Sequence, residues 1–357
     1  MAKHDIIVVG ASAGGITALK DFVHSLPADF DGSVFVVLHI PSHTKTMLPA
    51  ILNRAGPLKV VQPRDGEPIE RGKIYVGAND HHLLIEGDKV IIKRGPKENR
   101  FRPSIDALFR SAAYTFGPRV IGIVLSGLLN DGTSGLWSIK RLGGIAIIQE
   151  PDDAEFPQMP ENVLEFVEVD YSVPASEMGA LLERLIKGPV PTKPKLSKEE
   201  MALLKMEVVI ATKDNAFEMG ILNMGELTPF TCPECHGALV RLGQADMLRF
   251  RCHTGHAFTA SSLLAEITSS VEEMLWQSMR GMEEVSMLLQ NIEKHFTKSG
   301  DRKSAIIFKE KAEEASHRAR IIHDSVFKQE QYSEDIRHEK KNTKRRSDQK
   351  KKSPKNL

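Results

Sequence analysis

Runs of apolar residues alternate with amphipathic stretches along roughly the first half of the chain. The predicted strands are DIIVVG, SVFVVLH, KIYVGA, HLLIEG, KVIIKR, RVIGIVLSG and GIAIIQE. Helical spacing occurs at 16–26, 45–53, 105–116, 134–142 and 176–186. Several strands are continuous apolar runs, as in parallel strands that are covered on both faces. The pattern predicts an α/β fold with a doubly wound, mostly parallel, Rossmann-like sheet between two helical layers. The pair HLLIEG and KVIIKR reads as a hairpin about Gly87-Asp88.

The second half of the chain changes character several times. After a predicted catalytic domain at 1–187, the Pro/Lys-rich KGPVPTKPK begins a predicted linker at 188–230 that contains a short helix. A cysteine-containing module is expected at 231–258, a helical hairpin at 259–329 and a disordered basic tail at 330–357. The hairpin prediction rests on apolar residues at helical spacing on both sides of a break at 298–301.

Composition and charge narrow the protein class. The chain has 357 residues, 41% hydrophobic and 27% charged, and only three cysteines. No apolar run approaches the ~20 residues of a membrane span, and the few cysteines argue against a secreted disulfide scaffold, so a cytoplasmic protein is expected. Residues 337–357 carry ten Lys or Arg and two Asp or Glu, so this segment is +8 and leaves about −7 for the rest. Only the tail is therefore expected to contact a polyanion.

The stretch IIVVGASAGG at 6–15 permits two interpretations. It fits G-x-S-x-G, a strand-to-helix turn that presents Ser12 as a nucleophile. The rival is the dinucleotide fingerprint G-x-G-x-x-G, which wants a glycine where Ser12 stands and an acidic residue about 20 positions later. The second predicted strand ends instead in His39, a residue type that serves as a general base. The residues therefore favour a nucleophile over a cofactor loop.

A third catalytic residue stays open on spacing alone. Asp131 follows the strand RVIGIVLSG, and Asp80 lies in the loop GANDHHL. Both positions fall where parallel strands end, which is where α/β proteins place their sites. Each aspartate is also an ordinary turn residue.

Six collinear segments resemble the catalytic domain of the bacterial chemotaxis protein-glutamate methylesterases, the CheB family. They are VVGASAGG, VVLHIPSHTKTMLPAILNRAG, GKIYVGANDHHLLIE, RFRPSIDALFRSAA, VIGIVLSGLLNDGTSGLWSIKRLGGIAIIQEP and FPQMPENVLE. The resemblance implies a Ser-His-Asp triad of Ser12, His39 and Asp131, with no organic cofactor. It also implies hydrolysis of glutamate γ-methyl esters on chemoreceptors, with release of methanol, and deamidation of some receptor glutamines.

The oxyanion hole and the substrate contacts follow less directly. The backbone amides of Ala13 and Leu128 are the candidates for the hole, and Arg102 is the candidate for substrate positioning. Family members carry Met-Gly before the Asn-Asp where this chain has Leu128-Leu129, so the local backbone conformation is in question. They also usually begin with a receiver domain, and we expect none here because the first catalytic strand starts near residue 5.

All three cysteines lie in one short segment. Cys232 and Cys235 form a C-x₂-C pair, and Cys252 precedes His256 by four residues. Three cysteines and one histidine are an ordinary ligand set for structural Zn²⁺. The intervening ALVRLGQADMLRFR is expected to form two short strands around 243–246. Since a segment this short has little core of its own, the sequence predicts a zinc-ribbon-like module that metal stabilises.

The remaining segments leave a non-enzymatic alternative. The predicted helical hairpin has apolar stripes, so it is expected to self-associate or to dock on a signalling partner. A scaffold or adaptor for chemosensory proteins would use the same hairpin and metal module without catalysis. An intact triad argues against that alternative.

Overall fold

A computed structural model of the chain describes residues 3–40, 46–213, 217–242 and 247–329. The predicted tail at 330–357 lies outside these residues. The strands are β1 Ile6–Ala11, β2 Ser33–Leu38, β3 Lys59–Val61, β4 Glu67–Pro68, β5 Lys73–Val76, β6 His82–Glu86, β7 Lys89–Lys93, β8 Val120–Val124, β9 Ile145–Gln149, β10 Tyr171–Val173, β11 Glu226–Thr231, β12 Ala238–Leu242, β13 Arg249–Cys252 and β14 Ala257–Thr259. The helices are α1 Gly15–Ser25, α2 Leu48–Ala55, α3 Ile105–Phe116, α4 Thr133–Arg141, α5 Gln158–Phe166, α6 Met178–Ile186, α7 Lys198–Thr212, α8 Ala260–Ser299 and α9 Arg302–Gln329.

The central sheet has seven parallel strands in the order β10-β9-β8-β1-β2-β5-β3. One buried cluster packs α1, α2 and α6 on one face, and a second packs α3, α4 and α5 on the other. This is the predicted doubly wound fold. Strand β1 lies in the middle, with β2 on one side and β8 on the other, so the strand order reverses there. The carboxyl ends of these three strands therefore border one crevice.

Within residues 1–187 most predicted elements are confirmed, and the strands that were missed there are short. Strands β6 and β7 form the predicted antiparallel hairpin, which the two-residue β4 extends to three strands. The sequence pattern missed β3, β4, β10 and α5. The missed strands have two or three residues, too few for a periodicity to register.

The C-terminal part of the chain adds a four-stranded antiparallel sheet, β11-β12-β13-β14, where two strands were expected. Residues 1–263 form one compact unit that contains this sheet as well as α7. The sequence-predicted boundaries at 187, 230 and 258 stay predictions, but residues 1–187, 188–230 and 231–258 all lie within this one unit. Helix α7 begins with a capping box, in which the Ser197 side chain and Glu200 bond each other's backbone.

A buried cluster of charged side chains packs between the central sheet and the C-terminal sheet. Its members are Glu98, Arg110, Glu207, Arg249 and Arg251, all at most 7% exposed. Arg251 donates to Glu98 at 2.9 Å and Arg249 to both oxygens of Glu207 at 2.9 Å, while Arg110 pairs with Glu98. Although burial favours the protonated acid, the charges of Arg110 and Arg251 lower the pKa of Glu98 to about 2.

Residues 264–357 form the second unit, and its described part is a hairpin of α8 and α9. Ala305, Ala312, Ala319 and Val326 are buried at seven-residue spacing along α9, a heptad pattern. Phe296 stacks on Phe308 near the turn, with the ring centroids 5.4 Å apart. None of the helices within the described ranges has both the length and the apolar character of a membrane span.

Replacing Glu98 by Gln is expected to destabilise the first unit. The change leaves Arg110 and Arg251 buried without their shared carboxylate, which typically lowers the free energy of unfolding by about 3–5 kcal/mol. The pKa of Glu98 is lower when folded than its ordinary value of 4.5, so its stabilising effect holds above that pH and fades as pH falls toward 2. Urea titrations at pH 7 and at lower pH measure both effects.

The matched control is Glu226→Gln, which breaks an exposed pair with Arg241. Such a pair contributes about 0–1 kcal/mol. Equal loss of stability in the two variants would show that the buried cluster has no special role.

Candidate active site

Ser12 lies in the turn between β1 and α1. Its backbone N–H donates to the Ser126 carbonyl at 2.9 Å, and Gly15 N–H donates back to the Ser12 carbonyl at 2.9 Å. The turn needs glycine at Gly14, which has φ 69° and precedes the first residue of α1. A side chain at Gly127 would meet Ser12 Cβ at 2.9 Å, so glycine there leaves room beside the serine.

His39 follows β2 directly and reaches Ser12 from the neighbouring strand. The β1–β2 ladder pairs Ala11 with Leu38, and His39 N–H extends it by donating to the Ala11 carbonyl at 3.1 Å. Its Nδ1 lies 3.2 Å from Ser12 Oγ. The Phe101 ring stacks on the imidazole with 7° between the planes. The imidazole is therefore held between a phenyl face and two hydrogen-bonding partners.

Asp131 follows β8 and completes the row of side chains. Its Oδ2 lies 2.8 Å from His39 Nε2. An ionised carboxylate only accepts, so Nε2 carries the proton and Nδ1 is left as the base that faces Ser12. Serine triads of the chymotrypsin type have Nε2 facing the serine, so the two ring nitrogens are exchanged here. The sequence-predicted Ser12, His39 and Asp131 thus lie in hydrogen-bonding contact.

The Asp131 carboxylate is buried and receives donors from the start of α3. The backbone N–H of Ile105 donates to it at 2.7 Å and that of Asp106 at 3.2 Å, while the Ser104 hydroxyl donates at 3.0 Å. Burial alone would raise the pKa of Asp131. The hydrogen bond and charge of His39, with these donors, lower it instead. Asp131 therefore stays ionised while it orients His39.

Asp106 and Asn99 stand behind Asp131 and were not predicted from the sequence. Asp106 accepts from Gly132 N–H at 3.0 Å and from Gly135 N–H at 2.6 Å, at the start of α4. The Asn99 amide donates to both carboxylates, at 2.8 Å to Asp106 and 3.0 Å to Asp131. Burial and the neighbouring Asp131 raise the pKa of Asp106 to about 8. Only the S-I-D sequence at the start of a predicted helix hinted at these contacts.

The two oxyanion-hole candidates keep their backbone donors available. Among the residues that the structure describes, neither Ala13 N–H nor Leu128 N–H has a hydrogen-bond partner. The neighbouring donors are used, Gly127 N–H by Phe156 and Leu129 N–H by the Gln158 side chain. Leu129 has φ 64°, a conformation that favours glycine. A leucine therefore adopts here a backbone conformation that favours glycine.

Arg102 pairs with Asp80 and not with Asp131. Its Nε donates to Asp80 Oδ1 at 2.8 Å and its Nη1 to the Gly95 carbonyl at 2.7 Å. Within the described part of the chain, none of its hydrogen bonds goes to the triad. Asp80, the alternative third member, pairs with Arg102 and Arg94 and not with His39. The substrate-positioning role of Arg102 stays a prediction.

The predicted metal ligands converge in the C-terminal sheet. The ligand atoms of Cys232, Cys235, Cys252 and His256 all lie within 4.8 Å of one another. The sulfurs of Cys235 and Cys252 are 3.6 Å apart, and His256 Nδ1 is 3.6 Å from Cys252 Sγ and 3.7 Å from Cys232 Sγ. Four ligands about 2.3 Å from a tetrahedral zinc would stand about 3.8 Å apart. The residues present fit such an ion.

One family model, two relatives and one solved structure each match about half of the chain. The family model described as CheB methylesterase matches residues 7–182. A Leptospira interrogans protein, provisionally named protein-glutamate methylesterase/protein-glutamine glutaminase, is 37% identical over 184 residues, which is 51% of this chain and 95% of the relative. A Methanosarcina mazei protein with that name is 31% identical over 51% of this chain and 52% of its own length. The crystal structure of the Thermotoga maritima CheB methylesterase catalytic domain is matched at 30% identity and TM-score 0.49, over 51% of this chain and 98% of that one.

The leucine in a glycine conformation gives a prediction for the loop after β8. Leu129→Gly is expected to leave the melting temperature unchanged or raised, because relief of about 1–2 kcal/mol of left-handed strain offsets the entropy of glycine. Leu129→Val is expected to lower it, because a β-branched residue tolerates positive φ least. Calorimetry of both variants measures the difference. A valine variant as stable as the glycine variant would contradict this account of the loop.

Proposed function

This chain belongs to the CheB methylesterase family, and we propose that it hydrolyses glutamate γ-methyl esters on signalling proteins through Ser12, His39 and Asp131. The observation that supports this most directly is the unbroken hydrogen-bonded row from Ser12 Oγ to Asp131 at the carboxyl ends of three adjacent strands. A buried, ionised carboxylate at its end is what a serine nucleophile needs. No organic cofactor takes part in such chemistry.

The reaction begins when Ser12 Oγ attacks the γ-carbonyl carbon of the methylated glutamate. His39 Nδ1 takes the hydroxyl proton as the new C–O bond forms, and Asp131 stabilises the resulting imidazolium. The intermediate collapses, the C–OCH₃ bond breaks, and His39 returns the proton so that methanol leaves. Water then attacks the acyl-enzyme with His39 again as the base, which releases free glutamate and restores Ser12.

The developing negative charge on the carbonyl oxygen needs fixed donors. The backbone N–H groups of Ala13 and Leu128 carry this role in our proposal, because neither has another partner within the described residues and both flank the serine loop. Ala13 also immediately precedes the N-terminal turn of α1, where the helix dipole favours negative charge. Removing one such donor typically slows catalysis by about 10²–10³-fold.

The substrate that this chemistry fits is a methylated chemoreceptor or a similar methyl-accepting protein. The same acyl transfer permits deamidation of a glutamine, in which ammonia leaves in place of methanol. The relatives from Leptospira interrogans and Methanosarcina mazei carry both activities in their names.

We further propose that Cys232, Cys235, Cys252 and His256 hold one structural Zn²⁺. The set is closed, with four protein ligands and two of the cysteines fully buried, as in structural zinc sites. The metal would join the loop between β11 and β12, the end of β13 and the residue before β14. Its role is to hold the small sheet together.

Ser12→Ala is expected to abolish methanol release from a methylated receptor. Loss of a triad nucleophile typically reduces kcat by about 10⁶-fold, so the assay should fall to background. Headspace analysis of methanol measures it, and Ser172→Ala on the exposed edge of β10 is the matched control. Undiminished release from Ser12→Ala would refute the triad, and no release from the unaltered protein would favour a scaffold.

Purified protein is expected to contain about one equivalent of zinc. Cys252→Ser should lose it, because a serine hydroxyl is a poor ligand for this ion. His253→Asn should retain it, since His253 adjoins Cys252 but lies outside the cluster. Elemental analysis by mass spectrometry measures all three. Metal-free protein of full stability would contradict the zinc proposal.

A further inference from the structure

A tight turn at 98–101 lies between the triad and the C-terminal sheet. Glu98 and Phe101 exchange backbone hydrogen bonds, at 3.2 Å and 2.9 Å. The two residues between them, Asn99 and Arg100, have φ of 49° and 77°. This is the geometry of a two-residue hairpin turn that normally uses Asn-Gly. An arginine in the second position makes the turn unfavourable by itself, so contacts outside the turn must hold it.

One side of the turn contacts the triad. Asn99 Nδ2 donates to Asp131 Oδ1 at 3.0 Å, and the Phe101 ring lies against His39. The same amide donates to Asp106 and so separates the two buried carboxylates. Asn99 is 4% exposed. Residues of this turn therefore position both His39 and Asp131.

The other side of the turn contacts β14. Asn99 N–H donates to the Ala257 carbonyl at 2.8 Å, and Thr259 N–H donates to Asn99 Oδ1 at 3.0 Å. The second bond fixes the orientation of the amide, because a backbone N–H can only donate and so must face the oxygen. The nitrogen of Asn99 is thereby turned toward Asp131. Further along, Arg251 on β13 donates to Glu98 at 2.9 Å.

The metal ligand His256 immediately precedes β14. Cys252 N–H donates to the His256 carbonyl at 3.0 Å, and Ala257 N–H donates to the Lys97 carbonyl at 3.2 Å. A metal bound by His256 and Cys252 would fix the start of β14. The backbone then runs for three residues to Thr259, whose amide orients Asn99.

We propose that the C-terminal sheet is a working part of the catalytic site: strand β14 orients Asn99, and Asn99 positions Asp131. Asn99 is a positioning residue, since it touches Asp131 and not the reacting atoms. Metal binding at Cys232, Cys235, Cys252 and His256 then governs triad alignment. The inference rests on the proposed esterase function and adds a dependence on a segment outside residues 7–182, the part that matches the family model.

Asn99→Gly tests the positioning role with the full chain. Glycine adopts the positive φ without strain and removes the amide that separates and orients the two carboxylates. We expect kcat for methanol release to fall by about 10²-fold, the usual effect of misplacing a catalytic group by about 1 Å. KM should change less than twofold, because Asn99 is buried and does not meet the substrate.

Lys97→Gln is the matched control. It breaks the ion pair between Lys97 Nζ and Glu234, 2.9 Å apart, which also links the segment before the turn to the metal-binding sheet. It leaves the Asn99 contacts in place, so kcat should stay within twofold of the unaltered protein. Equal kcat in Asn99→Gly and Lys97→Gln would overturn the positioning role.

Hydrogen exchange tests the link to the metal without an activity assay. The peptide that contains the Asn99 amide should exchange slowly in zinc-loaded protein and at least tenfold faster after chelation or in Cys252→Ser. A peptide from β1 should be unchanged in both, which shows that the central sheet stays folded. Exchange at Asn99 that does not respond to metal would overturn the connection between the metal site and the triad.

A serine-directed fluorophosphonate separates this inference from the proposed function. Its rate of reaction with Ser12 depends on the triad but not on the identity of the natural substrate. If the unaltered protein releases no methanol yet labels, and Asn99→Gly labels about 10²-fold more slowly, the substrate assignment fails and the positioning role stands. If labelling is equally fast in both, the positioning role fails whatever the substrate.

Discussion

The first unit depends on a reciprocal arrangement of two buried carboxylates. Asp131, from the end of β8, accepts the first backbone amides of α3, and Asp106, from α3, accepts those at the start of α4. The first backbone N–H groups of α3 therefore lack these hydrogen-bond acceptors unless Asp131 is in place. Those of α4 lack theirs unless α3 has brought Asp106 into place. Asp131, the third residue of the proposed triad, is in consequence also a structural cap. Backbone N–H donors hold the Asp131 carboxylate, and the side chains of Ser104 and Asn99 add to them. Backbone donors cannot change rotamer, so they fix its position more firmly.

The C-terminal sheet extends the same logic across a second boundary. Its contact with the central domain includes buried ion pairs and the Asn99 amide. A buried charge that loses its partner destabilises the fold strongly, so this contact tolerates few alternative arrangements. A contact with few alternative arrangements suits a sheet that, in our proposal, orients the Asn99 side chain. An apolar contact of similar size would hold the sheet in place but would allow it to slide.

The sequence permitted prediction of the parts of the site that local pattern controls. Strand ends located Ser12 and His39, because a continuous apolar run stops where the chain turns. Choosing Asp131 over Asp80 needed a resemblance, since both follow strands and only the fold separates them. Asn99 and Asp106 escaped because their importance arises from contacts with residues that are distant along the chain, such as Thr259. The metal set was recognisable because its ligands occur as short, spaced pairs. The placement of β11 and β14 beside two predicted strands depended on long-range pairing that periodicity does not report.

The charges around Asp131 also explain why two acids can be adjacent in a serine esterase. Two ionised carboxylates in this buried position would repel each other. Burial and the nearby Asp131 raise the pKa of Asp106, and the contacts of Asp131 lower its own pKa, so a shared negative charge favours Asp131. That charge lies on the member in contact with His39, where it can balance the imidazolium that forms when Ser12 attacks. The hydrogen bond that Asn99 donates to Asp131 helps to lower the pKa of that carboxyl, while the Asn99 oxygen accepts from the C-terminal sheet. Electrostatic balance in the triad is therefore a property of the whole first unit and not of the three catalytic side chains alone.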